Sequence, residues 1–200
     1  MSRFTSLPTL ALLALSLAGC ASNPPAGAPA STAPGPGMGM GMGMGMGMGM
    51  MSGRMAVASL TPTQGNQVRG LVMFHERDGH LMVHARISGL KPNAEHGFHV
   101  HETGSCASTD GTSAGGHFNP DGKPHGPQAA AHHAGDLPAL KADANGMADA
   151  KFTLTGPTVA DGPASVVGRS VVVHAQPDDY STQPTGNSGA RLACGVIAGH

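Results

Sequence analysis

Histidine carries the reactive potential of this chain. There are 12 His, as many as Asp and Glu together, and their spacing is ordered. In His99-Val100-His101 the imidazoles alternate with Phe98 and Val100. On a strand, residues i and i+2 project from one face, so both rings can reach one point while Phe98 and Val100 enter a core. His117, His125 and His133 follow at equal intervals, and Asp136 lies just beyond them. His174 ends the run from Ser170, on the parity opposite Val171 and Val173. Six imidazoles and one carboxylate suit a transition-metal site: imidazole binds copper and zinc, and a carboxylate suits zinc. His75, His80, His84, His96, His132 and His200 show no such spacing and read as structural or solvated side chains.

The elements that must hold these residues read as strands. Val68, Gly70, Val72 and Phe74 share one parity, and Leu81, Val83, Ala85 and Ile87 alternate with polar residues. Asp78-Gly79 between these runs is a hairpin signal. Further runs cover 147–155, 170–174 and 192–197, with Gly and Pro between them and no sustained helical period. The pattern predicts one all-β domain over residues 54–200, an antiparallel sandwich or barrel. Segments 102–146 and 175–191 carry no strand pattern, and irregular loops of that length in a compact domain are usually functional.

Composition narrows the class. Charged residues make up 12% of the chain, about half the ~25% of ordinary domains, which excludes a coiled coil. Lys and Arg number 11 against 12 Asp and Glu, so no basic surface for nucleic acid is expected. At the N-terminus, Arg3 precedes an apolar run from Leu7 to Ala18 that is too short to span a membrane. It ends in Leu17-Ala18-Gly19-Cys20, which resembles a bacterial lipobox. That resemblance implies a signal peptide over 1–19, lipidation of Cys20 and anchoring to a membrane. With Ala21 next, it implies the periplasmic face of the envelope, at the outer membrane. Export would bring the chain to an oxidising compartment, where Cys106 and Cys194 can pair.

Residues 20–53 read as a disordered Pro/Gly/Met-rich tether. From Gly37 to Met50 the sequence is an unbroken Gly-Met repeat, followed by Met51. Three readings stay open for it: a spacer, a soft Cu(I) trap, or a sacrificial target of oxidants.

Six motifs in order decide the family resemblance: Gly97-Phe98-His99-Val100-His101, Ala114-Gly115-Gly116-His117-Phe118-Asn119-Pro120, Lys123-Pro124-His125-Gly126-Pro127, His133-Ala134-Gly135-Asp136-Leu137, Val172-Val173-His174-Ala175, and the run from Gly189 to Ile197. Residues 54–200 resemble copper–zinc superoxide dismutase, and the leader and the Cys106–His117 stretch resemble its bacterial branch. The resemblance implies an eight-stranded antiparallel Greek-key barrel or sandwich with two long functional loops. It implies one redox-cycling copper, Cu(II)/Cu(I), on His99, His101, His117 and His174. It also implies one Zn(II) on His117, His125, His133 and Asp136, so that His117 bridges both ions. Asp178 falls where the family places a carboxylate linking a copper ligand to a zinc ligand, with Asp179 the fallback. Arg191 matches the arginine that anchors the anion, which makes Arg191 and His117 the catalytic candidates. A Cys106–Cys194 disulfide would tie the loop after His101 to the Arg191 segment.

The implied activity is dismutation of superoxide to dioxygen and hydrogen peroxide, protecting the cell envelope. The alternative, resting on the Met tract, is a periplasmic copper-binding lipoprotein of similar fold. Bacterial relatives include monomers and homodimers, and the sequence does not choose between them. One departure stands out: no Lys, Arg or Glu lies between Asp179 and Arg191. A charged guidance loop is therefore missing, and Lys123 and Lys151 are the cations considered as substitutes.

Overall fold

The computed structural model describes residues 53–200. The expected signal peptide over 1–19, the expected lipidation at Cys20 and the expected Gly-Met tether lie outside the described residues.

Within them the strands are β1 (Arg54–Pro62), β2 (Arg69–Arg77), β3 (His80–Ser88), β4 (Glu95–His96), β5 (Phe98–His101), β6 (Leu140–Lys141), β7 (Ala148–Leu154), β8 (Ser170–His174) and β9 (Arg191–Gly199). A single 3-10 turn, Thr112–Ala114, is the one helical element among the described residues. Seven strands form a curled sheet in the order β5-β8-β9-β1-β2-β3-β7, and β4 pairs with β6. Every one of these pairings is antiparallel.

β4 and β5 are one run of chain broken at Gly97. Counted as one strand, they bring the total to the eight expected. The Leu137 N–H donates to the Phe98 carbonyl at 3.2 Å, which joins the chain just before β6 to β5. β6 is too short to show alternation in sequence, so it lay hidden in segment 102–146.

Alternation explains the core. Val72, Phe74, Leu81, Val83, Ala85 and Ile87 point inward from β2 and β3 and are buried. The hairpin between them turns at Asp78 and Gly79, with φ of 53° and 77°. Positive φ at both central residues gives the twist that matches two right-handed strands. Strands β5 and β8 differ from the others, because every residue in them is buried. Phe98, Val100, Val171 and Val173 face the main core. Val172 packs on the other side with Ala114 and Cys194. The two long loops fold back over that outer side, and the histidines of β5 and β8 lie beneath them.

The Cys106–Cys194 disulfide is formed and closes a separation of 88 residues. It joins the loop after β5 to β9, the strand that begins at Arg191.

Candidate metal centre

Strand β5 fixes the first two imidazoles. His99 and His101 leave its outer face and are fully buried. The loop carrying His117 is stitched to the same strand: Phe118 N–H donates to the Val100 carbonyl, and Val100 N–H donates to the Gly135 carbonyl, each at 2.8 Å. A Cβ on Gly135 would lie 2.2 Å from that Val100 carbonyl, so only glycine lets the loop come this close. The outcome is a backbone bridge from His101 to His117 and another from His99 to Asp136. His174 arrives from the end of β8, beside β5.

Two groups of donors result. His99, His101, His117 and His174 form one, and His117, His125, His133 and Asp136 form the other. In each, one ligand atom per residue lies within 4.8 Å of all the rest, and every member is buried. His117 belongs to both.

The ring nitrogens show which way each group points. His99 Nδ1 and His117 Nε2 are buried without a hydrogen-bond partner, and His101 Nε2 lies 3.3 Å from His174 Nε2. On the other side, His117 Nδ1 lies 2.9 Å from Asp136 Oδ1 and 3.5 Å from His133 Nδ1. His133 Nδ1 and His125 Nδ1 lie 3.3 and 2.9 Å from the same oxygen. The His125 contact lacks hydrogen-bond geometry, and that nitrogen has no partner either. Metal–nitrogen bonds of ~2.0–2.1 Å in a tetrahedron place donors about 3.3 Å apart. Both groups therefore have the spacing and the unpartnered nitrogens that a metal ion requires.

Further contacts hold the rings in place. His99 Nε2 donates to Asp178 Oδ2 at 2.6 Å, and His125 Nε2 donates to Asp178 Oδ1 at 2.8 Å. His101 Nδ1 donates to the Gly115 carbonyl at 2.9 Å. Asp179 instead caps its own turn through Ser181 and Thr182, so Asp178 is the linking carboxylate. His132 is half-buried and bonds the Ala130 carbonyl, whereas the buried His133 joins the centre.

Burial pushes His99 and His101 well below the ordinary imidazole range, with the neighbouring His117 and His174 adding to the effect. It holds His174 at about 4. Burial would raise the Asp136 carboxyl, but bonds from the His117 ring and the His133 N–H outweigh it and hold Asp136 at about 2. His99, His101 and His174 are thus held as neutral imidazoles and Asp136 as a carboxylate, the forms that ligate metal.

Arg191 stands beside the first group, close enough for its charge to depress His101 and His174 further. Its guanidinium donates to the carbonyls of Gly111 and Gly115, both at 2.7 Å. It lines an open cavity of about 360 Å³ with Thr63, Asn66, Asp110 and Gly189. Neither Lys123 nor Lys151 lines this cavity. Lys123 pairs with Asp121 at 2.9 Å, and Lys151 sits on β7 opposite His84.

One residue of the centre had no signal in sequence. His96 is buried, and its Nδ1 donates to the His174 carbonyl at 2.8 Å. Its place next to Gly97, one residue before β5, offered no spacing to mark it.

Residues 68–197 match the family model described as copper/zinc superoxide dismutase (SODC). The chain belongs to the copper/zinc superoxide dismutase family. A copper–zinc superoxide dismutase of Brassica juncea is 46% identical over 151 residues, covering 70% of this chain and 95% of that protein. A superoxide dismutase-like protein of Bacillus subtilis, YojM, is 38% identical over 146 residues, 70% of this chain and 74% of its own. The solved structure of a double mutant of a superoxide dismutase-like protein from the same organism aligns with a TM-score of 0.64. It is 40% identical, and the alignment covers 71% of this chain and 96% of that one. Membership in the copper/zinc superoxide dismutase family implies copper and zinc, and the two donor groups suit both ions.

Proposed function

We propose that this domain dismutates superoxide, two superoxide ions and two protons giving dioxygen and hydrogen peroxide. The observation that carries the reading is His117, which turns Nε2 to one donor group and Nδ1 to the other. The all-imidazole group of His99, His101, His117 and His174 is assigned to copper. The group containing the Asp136 carboxylate is assigned to zinc. When bound, copper supplies the one-electron redox chemistry, and zinc holds structure without changing its charge.

The chain supplies the rest. Arg191 keeps a permanent positive charge, and two carbonyls fix it at the cavity beside the copper group. It therefore offers a preset anchor for a small anion, at little cost in side-chain freedom. His117 Nε2 lies on the same side and is the atom able to hold a proton for the product peroxide. Asp178 keeps one ring of each group from rotating, so the separation across His117 is maintained. The low charge of the 179–191 loop suits a weakly steered enzyme.

The test uses the full chain. Copper and zinc are counted per molecule, and superoxide removal is measured before and after His117→Ala. One ion of each kind and a loss of roughly 10²-fold or more support the reading. Full metal content without superoxide removal overturns it in favour of a copper-binding protein.

The reading extends to location. The Cys106–Cys194 bond favours an oxidising compartment, and Cys20 is proposed as the lipid anchor that holds the domain on the periplasmic side. Labelling with radioactive palmitate, lost in Cys20→Ala, tests it; unlabelled wild-type protein in a competent host rejects it.

A further inference from the structure

The outer face of β1, β2, β3 and β7 lies away from the metal centre. An antiparallel sheet ordinarily turns polar residues to water there. Here it presents thioethers around an imidazole. Met55 on β1 is paired directly with His75 on β2, and His75 with Met82 on β3. In the next row Met73 is paired with His84. Direct partners on one face keep their Cβ atoms ~4.5–5.5 Å apart, so His75 is flanked on both sides by sulfur-bearing chains. Met73, two residues along β2, shares the face.

All of these side chains line one cavity of about 450 Å³. Met55 and Met82 are 43% and 38% exposed, so the cavity opens to solvent. The two imidazoles differ in their commitments. His84 donates to Asp149 at 2.7 Å, and His75 has no carboxylate partner among the described residues.

We propose that this face binds Cu(I) through the thioethers of Met55 and Met82 and the imidazole of His75, with Met73 as a further sulfur donor. Thioethers are soft ligands that select Cu(I), whereas Zn(II) prefers nitrogen, thiolate and carboxylate. The donors carry no net charge, which fits a monovalent ion better than a divalent one. Methionine's flexible chain adapts to a ligand without strain on the sheet. The site shares no residue with the histidine centre and does not depend on the dismutase reading. In sequence its first donor, Met55, lies shortly after the Gly-Met repeat, which ends at Met50.

The experiment uses the full chain, zinc-loaded, reduced and free of oxygen, with its histidine centre filled by Cu(I) and its methionine methyl groups labelled with carbon-13. Further Cu(I) is then titrated. The methyl signals of Met55 and Met82 are expected to move and to saturate together at one added equivalent, with Zn(II) leaving them in place. In a second preparation the eight tract methionines are replaced by serine, so that they do not mask a loss. There the Met55→Leu/Met82→Leu pair, which conserves volume, and His75→Gln should each lower Cu(I) affinity at least tenfold in competition with a Cu(I) chelator. Stationary Met55 and Met82 signals, or unchanged affinity in these variants, overturns the proposal.

Discussion

The Nε2–H of His99 donates to Asp178 across 2.6 Å, between two side chains that are almost wholly buried. The other oxygen of that carboxylate takes the His125 ring at 2.8 Å. One acid thus sets the orientation of a residue in each donor group. Asn at position 178 keeps one acceptor and loses the other. Asp178→Asn should lower the affinity for copper, zinc or both about 10–100-fold, read by chelator competition. Affinities equal to wild type for both ions would remove the positioning role.

The disulfide should act on stability and on rate together. Closing a separation of 88 residues contributes about 4–5 kcal/mol in the chain-entropy account, an upper figure. Its loop also carries Gly111 and Gly115, whose carbonyls hold Arg191. The Cys106→Ser/Cys194→Ser pair is expected to lower the urea midpoint and, in the protein that stays folded, the rate of superoxide removal. Reduced stability with an unchanged rate would separate the bond from Arg191.

Asp110 sets a charge against the anchor. It lines the same cavity as Arg191, and its charge acts on the guanidinium. Superoxide is an anion, so Asp110→Asn should raise kcat/KM at low salt by about 2–3-fold. The gain should vanish at high ionic strength, and the parent protein should show only shallow salt dependence. A gain that persists in high salt would point to a cause other than charge.

The metal-free chain should lose stability in acid. Burial holds folded His174 at about 4 and depresses His99 and His101 as well. Imidazole in an unfolded chain titrates near ~6.5. Between these values the unfolded state binds more protons, so stability falls as pH drops from about 6.5 towards 4. Asp136, at about 2 when folded, continues the loss below the ordinary carboxylate range. Urea midpoints of the metal-free protein from pH 7 to pH 5 check this, and a flat profile contradicts it.

His96 should matter for stability. Replacing it with Leu leaves the buried His174 carbonyl without its donor, a loss of about 1–3 kcal/mol. Denaturant titration measures it, and a change below a few tenths would show that water takes over the bond.

The sequence carried the donors because each sits in a short contiguous motif. His99 and His101 follow from strand parity alone. Bringing His117, His125 and His133 to the same place required the family resemblance, since nothing in their spacing fixes a loop's path. The bridges from that loop to Val100 supply the path. Asp178 and Asp179 were adjacent alternatives, and only the fold separates the acid that links two rings from the acid that caps a turn. The Met–His face was half visible: the parity of the two central runs sends Met73, His75 and Met82 outward, but the place of Met55 and the rows depend on register. Register comes from the Asp78-Gly79 hairpin and the pairing of β1 with β2.

At the break between β4 and β5, a Cβ on Gly97 would fall 2.6 Å from Ser188 Oγ. The loop after β8 is thus keyed to the metal-bearing strand by shape, while Asp179 ties its turn to Ser181 and Thr182. None of these fastenings uses a lysine or a glutamate. The loop's charge is therefore free to vary only where its side chains are uncommitted: a cation at the exposed Ala190, which lines the Arg191 cavity, could tune substrate capture, while Gln183, Gly186 and Ser188 stay committed to His125, Asp178 and Gly97.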